Sequence, residues 1–177
     1  MEYALGWAEI KKFIGTAGVG LPATRERALL CVAYDTMARR SKLVAFNRGD
    51  FKLPEDGSGR ALIRRSKTDQ TGEGHTAYLA PVTVRYLKEW LELAQITKGA
   101  VFCRLIGTGF PPKKPARPGR EPKLRTIPER IGARLSPAAV ANIFKSVAKH
   151  IKMAQDDIHG VSGHSPSGSA RRRICWR

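Results

Sequence analysis

Three segments of this 177-residue chain carry apolar residues at helical spacing, and they constrain its fold more than any other feature. The first spans residues 23–37 and the second residues 81–95. The third is the clearest, because Ser136 is a favoured N-cap, Pro137 suits a first helical turn, and a single apolar stripe follows. The residues of that stripe are Val140, Ile143, Phe144, Val147 and Ile151. The pattern predicts a mainly helical domain.

A turn-rich stretch between two short strand-like runs indicates a small sheet in the first half of the chain. Residues 61–65 and 75–80 flank residues 67–74, which contain two glycines, so an antiparallel hairpin is expected. Residues 41–46 predict a short additional helix, and residues 100–103 a buried strand or an extended piece. The predicted fold class is α+β, mainly α-helical, with a small antiparallel β-sheet.

The charge balance favours a nucleic-acid partner. The sequence contains 32 Lys and Arg against 15 Asp and Glu, which gives a formal net charge of +17. An excess of this size attracts polyphosphate. A basic surface that is merely solvated, or an RNA-binding protein of the ribosomal type, is the alternative that composition alone leaves open.

Cysteine use and hydropathy exclude several other classes of protein. Cys31, Cys103 and Cys175 are odd in number and lack C-x-x-C spacing, so the sequence indicates neither a disulfide framework nor a zinc site. No apolar run approaches the roughly 18 residues of a membrane span, and the N-terminus lacks the apolar core of a signal peptide. We therefore expect a cytoplasmic protein with no metal, no small-molecule cofactor and no membrane partner.

Residues 104–134 differ in composition from the rest. They hold six of the eleven prolines and nine Lys and Arg against two Glu, with little apolar periodicity. Such a stretch buries too little surface to offset its ordering entropy. We predict an exposed, flexible, basic insertion within a single domain that covers residues 1–177, because the helix after it completes the core. Lys113 and Lys114 are its candidate DNA contacts, and a solvated insertion with no specific role is the alternative.

Three short motifs carry the candidate chemistry. They are Thr36-Met-Ala-Arg-Arg-Ser-Lys-Leu43, Arg65-Ser-Lys-Thr-Asp-Gln-Thr-Gly-Glu-Gly74 and Val161-Ser-Gly-His-Ser-Pro166. Together they resemble the catalytic domain of the tyrosine recombinases, the phage-integrase family that includes Cre-like enzymes. The resemblance covers roughly residues 22–166. It implies an integrase-type catalytic fold, cleavage and rejoining of double-stranded DNA through a 3′-phosphotyrosine, other recombinase protomers as partners, and a nucleoid-associated place in a bacterial cytoplasm.

The resemblance assigns three catalytic residues. Arg39 aligns with the first phosphate-binding arginine, in an R-x-S-E-L-like run, and an arginine fork binds phosphate oxygens bidentately. Lys67 aligns with the hairpin lysine that acts as general acid to the leaving 5′-oxygen. His164 aligns with a histidine at the scissile phosphate, where an imidazole can manage a proton near neutral pH. Without the resemblance, these would be an ordinary helix-end cation, a solvated hairpin lysine and a helix-start residue.

Further cations are candidates for contacts with the DNA backbone. Arg40 follows Arg39 but points about 100° away from it around a helix, as a surface charge. Arg65 opens the hairpin motif. Arg171 lies seven residues after His164 and would share its helical face.

Several positions depart from the family pattern. Met37 stands where a glycine is often found, and Lys42 where the family usually carries an acid, which adds like charge close to Arg39. Ser167 occupies the place of the second phosphate-binding arginine in the H-x-x-R signature. No tyrosine follows His164, and residues 167–177 form an irregular tail that we interpret as the product of a frameshift after Pro166.

We therefore expect a catalytic domain that is truncated at both ends and catalytically incomplete. Two alternatives remain open. One is a non-catalytic DNA-binding remnant that interferes with an intact recombinase. The other is a basic RNA-binding protein, for which the sequence offers charge but no aromatic platform.

Overall fold

The computed structural model describes residues 5–64, 74–106 and 130–152. This part of the chain forms five α-helices and five short strands, which confirms the predicted α+β, mainly helical class. The helices are α1 (Trp7–Thr16), α2 (Leu21–Thr36), α3 (Arg40–Ala45), α4 (Pro81–Leu93) and α5 (Pro137–His150). The strands are β1 (Phe51–Lys52), β2 (Gly59–Ile63), β3 (His75–Leu79), β4 (Cys103–Ile106) and β5 (Arg130–Arg134), and a single 3₁₀ turn covers Arg48–Asp50.

The predicted helices form where the apolar spacing places them. In α5, the Ser136 hydroxyl accepts a hydrogen bond from the Ala139 N–H at 3.1 Å, and Pro137 begins the helix. The whole predicted stripe of α5 is buried, from Val140 to Ile151. Within the described residues, no helix is long and apolar enough to cross a membrane.

Helix α2 lies at the centre of the core. Residues 28–33 are completely buried, on every face of the helix, because α1, α4 and β3 all pack around it. At its C-terminal end the Asp35 carboxylate accepts the Ala80 N–H at 2.7 Å, which ties α2 to the start of α4. On α4, Trp90 is fully buried and its indole N–H donates to the Val101 carbonyl at 2.9 Å.

The predicted hairpin is confirmed as the pairing of β2 with β3. These strands are antiparallel in a register that runs from Gly59 opposite Leu79 to Ile63 opposite His75. β1 adds a third, edge strand to this sheet. β2 alternates strictly between buried and exposed residues, so the sheet has one face on the core and one outer face.

The prediction that residues 104–134 lack regular structure is wrong at both ends of that segment. β4 and β5 pair antiparallel, with Leu105 opposite Ile131. Residues 107–129 separate the two strands in sequence, so no short turn indicates their pairing, although both of these apolar residues pack against the core. The interior of the segment, residues 107–129, lies outside the described residues.

Helix α1 is not predicted from the sequence. Its N-cap is Gly6, whose N–H donates to the Glu9 carboxylate at 2.9 Å. Ile10 and Phe13 are buried in the common core, and His150 of α5 contacts Phe13 with an edge-to-face ring geometry. The segment therefore belongs to the same domain as the predicted helices.

Candidate phosphate-binding site at the junction of α2 and α3

Arg39 lies exposed at the N-terminal end of α3. Its backbone is extended, and its carbonyl accepts the N–H groups of Lys42 and Leu43 at 2.8 and 3.0 Å, so it is the N-cap of the helix. Among the described residues, none forms a hydrogen bond or an ion pair with the Arg39 guanidinium. The side chain is therefore available to an external anion.

The backbone on both sides of Arg39 is fixed by the core. α2 ends where Met37 adopts a left-handed conformation, with φ 50° and ψ 25°, and its N–H donates to the Ala33 carbonyl at 3.0 Å. Ala38 is buried just before Arg39, and Leu43 is buried one turn after it. A functional side chain between two packed anchors is held in position by rigid elements, as a binding site requires.

Two further cations lie next to this junction. The Lys42 ammonium, in the first turn of α3, donates to the Arg64 carbonyl at 3.2 Å and so joins α3 to the end of β2. The Arg64 guanidinium contacts Asp50 at 2.7 Å, yet its side chain is 66% exposed. Arg39, as the N-cap, and Lys42, in the first turn, thus lie at the same end of α3.

Asp50 is the carboxylate that organises this region, and sequence reasoning missed it. It is buried, and it accepts the Asn47 N–H at 2.8 Å through one oxygen and the Arg64 Nε–H at 2.7 Å through the other. The signal that could have revealed it is the capping-box spacing of Asn47 and Asp50 around the 3₁₀ turn. Lys42, where the family usually has an acid, instead bonds to a backbone carbonyl.

Arg134 fixes the opposite end of α3. Its guanidinium donates to the carbonyls of Val44 and Phe46, the latter at 3.3 Å, and to the Asn47 side-chain oxygen at 2.6 Å. A cation is favourable at a helix C-terminus, where carbonyl groups lack partners. Strand β5 is thereby attached to the helix that carries Arg39.

Burial suppresses the reactivity of the two described cysteines. Burial raises the pKa of the Cys31 thiol to about 12, and it also raises the pKa of Cys103. Because the thiolate is the nucleophile and metal ligand, both side chains act as core residues. Within residues 5–64, 74–106 and 130–152, no three His, Cys, Asp or Glu side chains lie close enough together to hold a metal ion.

The structure places two of the eight predicted site residues. Arg39 is exposed at the junction, whereas Arg40, the first residue of α3, is half-buried. The other six lie outside the described residues, namely Arg65, Lys67, Lys113, Lys114, His164 and Arg171. In sequence, Arg65 and Lys67 follow Arg64 by one and three residues.

Comparison with known proteins supports the class suggested by the motifs. No protein-family model matches the chain. A curated relative, an integrase/recombinase xerD homolog of Selenomonas ruminantium, is 30% identical over 151 residues, which cover 82% of this chain and 38% of the relative.

Solved recombinase structures share the fold. XerH site-specific recombinase, bound to its palindromic difH substrate in a post-cleavage complex, matches with a TM-score of 0.56 and 18% identity over 90% of this chain and 39% of its own. XerA recombinase matches with a TM-score of 0.57 and 16% identity over 91% of this chain and 46% of its own. The chain is thus similar in sequence to a recombinase and shares the fold of solved recombinases over 90% and 91% of its length, which supports a tyrosine recombinase catalytic domain. The chain spans less than half the length of each of these relatives.

Proposed function

We propose that this chain binds double-stranded DNA and forms part of the phosphodiester site of a tyrosine recombinase, with Arg39 as a ligand of the scissile phosphate. The supporting observation is an exposed guanidinium without a described partner, held at a rigid junction beside Lys42 and Arg64. Asp50 pairs with Arg64, whereas Arg39 has no carboxylate partner among the described residues. Arg39 is therefore the cation of this cluster that can bind a phosphate.

The chemistry of phosphodiester cleavage gives each proposed residue a task. An enzyme must neutralise the non-bridging oxygens, supply a nucleophile in line and protonate the leaving 5′-oxygen. Arg39 serves the first task by bidentate hydrogen bonding. Lys67 would protonate the leaving oxygen, and His164 would manage a proton at the phosphate.

We further propose that the site is catalytically incomplete. Ser167 stands where the second phosphate-binding arginine is expected, and loss of one preorganised donor to a developing oxyanion typically costs about 10²–10³ in rate. Lys42 in place of an acid adds a cation without restoring that donor. Binding of DNA requires neither the second arginine nor the acid, because affinity depends mainly on the number of phosphates neutralised.

A salt titration tests the binding. If about six phosphates are contacted, affinity for a duplex of roughly 30 base pairs should fall on the order of a thousandfold between about 50 and 200 mM salt. Arg39→Gln should flatten the slope of log K against log salt by about 0.9, with folding unchanged. A flat salt response of the unmodified chain contradicts the proposal, and so does tighter binding to structured RNA of equal length in competition.

A nicked suicide substrate tests the catalytic incompleteness separately. A competent recombinase is trapped on such DNA as a covalent protein–DNA adduct. We expect none from this chain, even at concentrations that saturate the duplex. An adduct resolved on a denaturing gel would overturn the incompleteness and leave the binding proposal standing.

A second candidate function follows from Ser167. A domain that binds recombinase sites without cleaving them would compete with an intact recombinase for DNA or for a partner protomer. Added to a recombination reaction of an intact Xer recombinase, this chain should lower the yield in proportion to site occupancy. Unchanged yield at saturating occupancy argues against this role.

A further inference from the structure

The outer face of the three-stranded sheet carries a second set of cations. Antiparallel partners share a face, so Lys52 of β1, Arg60 of β2 and Tyr78 of β3 form one row across the sheet. Leu62 of β2, opposite Thr76 of β3, continues the same face, and the exposed Arg64 follows directly after the end of β2. The outer face is defined by these six residues: Lys52, Arg60, Leu62, Arg64, Thr76 and Tyr78.

The side chains of the outer face are open to solvent. All six residues are exposed, and Tyr78 is 61% exposed, an unusual position for an aromatic side chain on a sheet. Among the described residues, no carboxylate pairs with Lys52 or Arg60. Asp50, two residues before Lys52, pairs with Arg64 instead. Glu55 and Asp56 lie in the turn between β1 and β2, where Asp56 accepts the Ser58 N–H and hydroxyl at 2.8 and 2.7 Å.

The composition of the outer face fits a phosphate backbone better than a protein. The row across three strands is about 10 Å wide, and Arg60 lies about 13 Å from Arg64 along β2. An area on the order of 10² Å² is far below the roughly 800 Å² that each partner buries in a stable protein complex. Lys52 and Arg60 supply two cations for the phosphates of a DNA strand, and Arg64 adds a third whose charge is shared with Asp50.

Arg64 makes the outer face continuous with the candidate site. Its side chain is 66% exposed and pairs with Asp50 beside β1, while its carbonyl accepts the Lys42 ammonium of α3. We propose that the outer face is a second contact for the DNA backbone, which extends the phosphate contacts of the Arg39 cluster along the duplex. Lys52 and Arg60 bind phosphates, and the Tyr78 hydroxyl donates to phosphate or sugar oxygens. This inference rests on the proposed function, since it requires the chain to bind DNA.

The test compares two double variants of the full chain in the same salt titration. Lys52→Gln with Arg60→Gln should flatten the slope of log K against log salt by about 1.8 and weaken binding at least about tenfold near 0.1 M salt. Lys12→Gln with Lys98→Gln removes the same charge from exposed positions on α1 and after α4, and it should change the slope by less than half as much. Thermal melts of both variants should match that of the unmodified chain, because the substituted side chains are exposed.

Tyr78 provides a variant without a charge change. Tyr78→Thr keeps a strand-forming residue and removes the ring and its hydroxyl, so affinity should fall while the salt slope stays constant. Tyr78→Phe should lose part of that affinity.

Two results would overturn the inference. One is an equal salt slope for the outer-face and control double variants. The other is unchanged DNA binding accompanied by altered self-association in sedimentation, which would assign the face to a protein partner. If the unmodified chain shows no salt-dependent DNA binding at all, the proposed function itself fails, and the two failures are thus distinguished.

Discussion

The two ends of α3 use the same residue type in opposite ways. At the N-terminal end, Arg39 is exposed and has no partner among the described residues. At the C-terminal end, the Arg134 guanidinium is occupied by two carbonyls and an amide oxygen. The difference shows that the net charge of +17 does not give the number of cations available to bind phosphate. Some of these cations, such as Arg134, stabilise the backbone instead. A candidate site is marked by a cation that folding leaves unsatisfied.

The largest expected effect is on stability and concerns the occupied end. Arg134→Ala removes the charged donor of the Val44 and Phe46 carbonyls, and among the described residues the Phe46 carbonyl keeps only the Val101 N–H. Because Arg134 is exposed, we expect a loss of about 1.5 kcal/mol in the free energy of unfolding, the low end for hydrogen bonds to a charged group. Arg39→Ala should cost less than about 0.5 kcal/mol, because it removes no contact. Urea denaturation of both variants measures the difference.

Arg134→Lys separates the charge of Arg134 from its geometry. Lysine keeps the cation near the helix end but cannot reproduce the planar fork of arginine. The free energy of unfolding of Arg134→Lys should therefore lie between that of the unmodified chain and that of Arg134→Ala. Equal stability of Arg134→Ala and Arg39→Ala would remove the distinction between the two ends of α3.

A smaller effect on stability is expected at Asp50, which bonds to the backbone at Asn47 and also pairs with the Arg64 cation. Asp50→Asn keeps an acceptor for the Asn47 N–H but breaks the ion pair with Arg64. Because Arg64 is largely exposed, the loss should be about 1 kcal/mol, at the low end for a charged hydrogen bond. DNA affinity at low salt should rise or stay constant, since a cation is released. A fall in affinity at unchanged stability would show that Asp50 itself positions the phosphate contacts.

Helices α2, α4 and α5 could be predicted from the sequence because each buries one or more apolar faces, whereas α1 could not. Ser136-Pro137 starts α5, and Pro81 starts α4, as expected. β1, β4 and β5 were not predicted, because β1 has only two residues and residues 107–129 separate β4 from β5, so no short turn indicates their pairing. Their positions depend on tertiary partners, such as the bonds from Arg134 to the end of α3.

The candidate site could be predicted only in part, because some of its contacts also depend on tertiary partners. Arg39 could be identified because its motif aligns with a family pattern without a gap. Asp50 and Arg64 could not, because 14 residues separate them and their pairing exists only once β2 lies beside the 3₁₀ turn. The assignments of Lys67 and His164 remain predictions from the resemblance.

The smallest expected effect concerns the turn that precedes Arg39. Met37 adopts φ 50°, a left-handed conformation that costs roughly 1 kcal/mol for a residue with a side chain, and its side chain is 42% exposed. Met37→Gly removes this strain but increases the entropy of the unfolded chain, so a net gain of about 0.5 kcal/mol is expected. Met37→Ala keeps the strain and should not stabilise the chain. An unchanged DNA salt slope for Met37→Gly would show that the turn affects the stability of the junction but not the availability of Arg39. A steeper slope would show that the strain at Met37 restrains the Arg39 guanidinium.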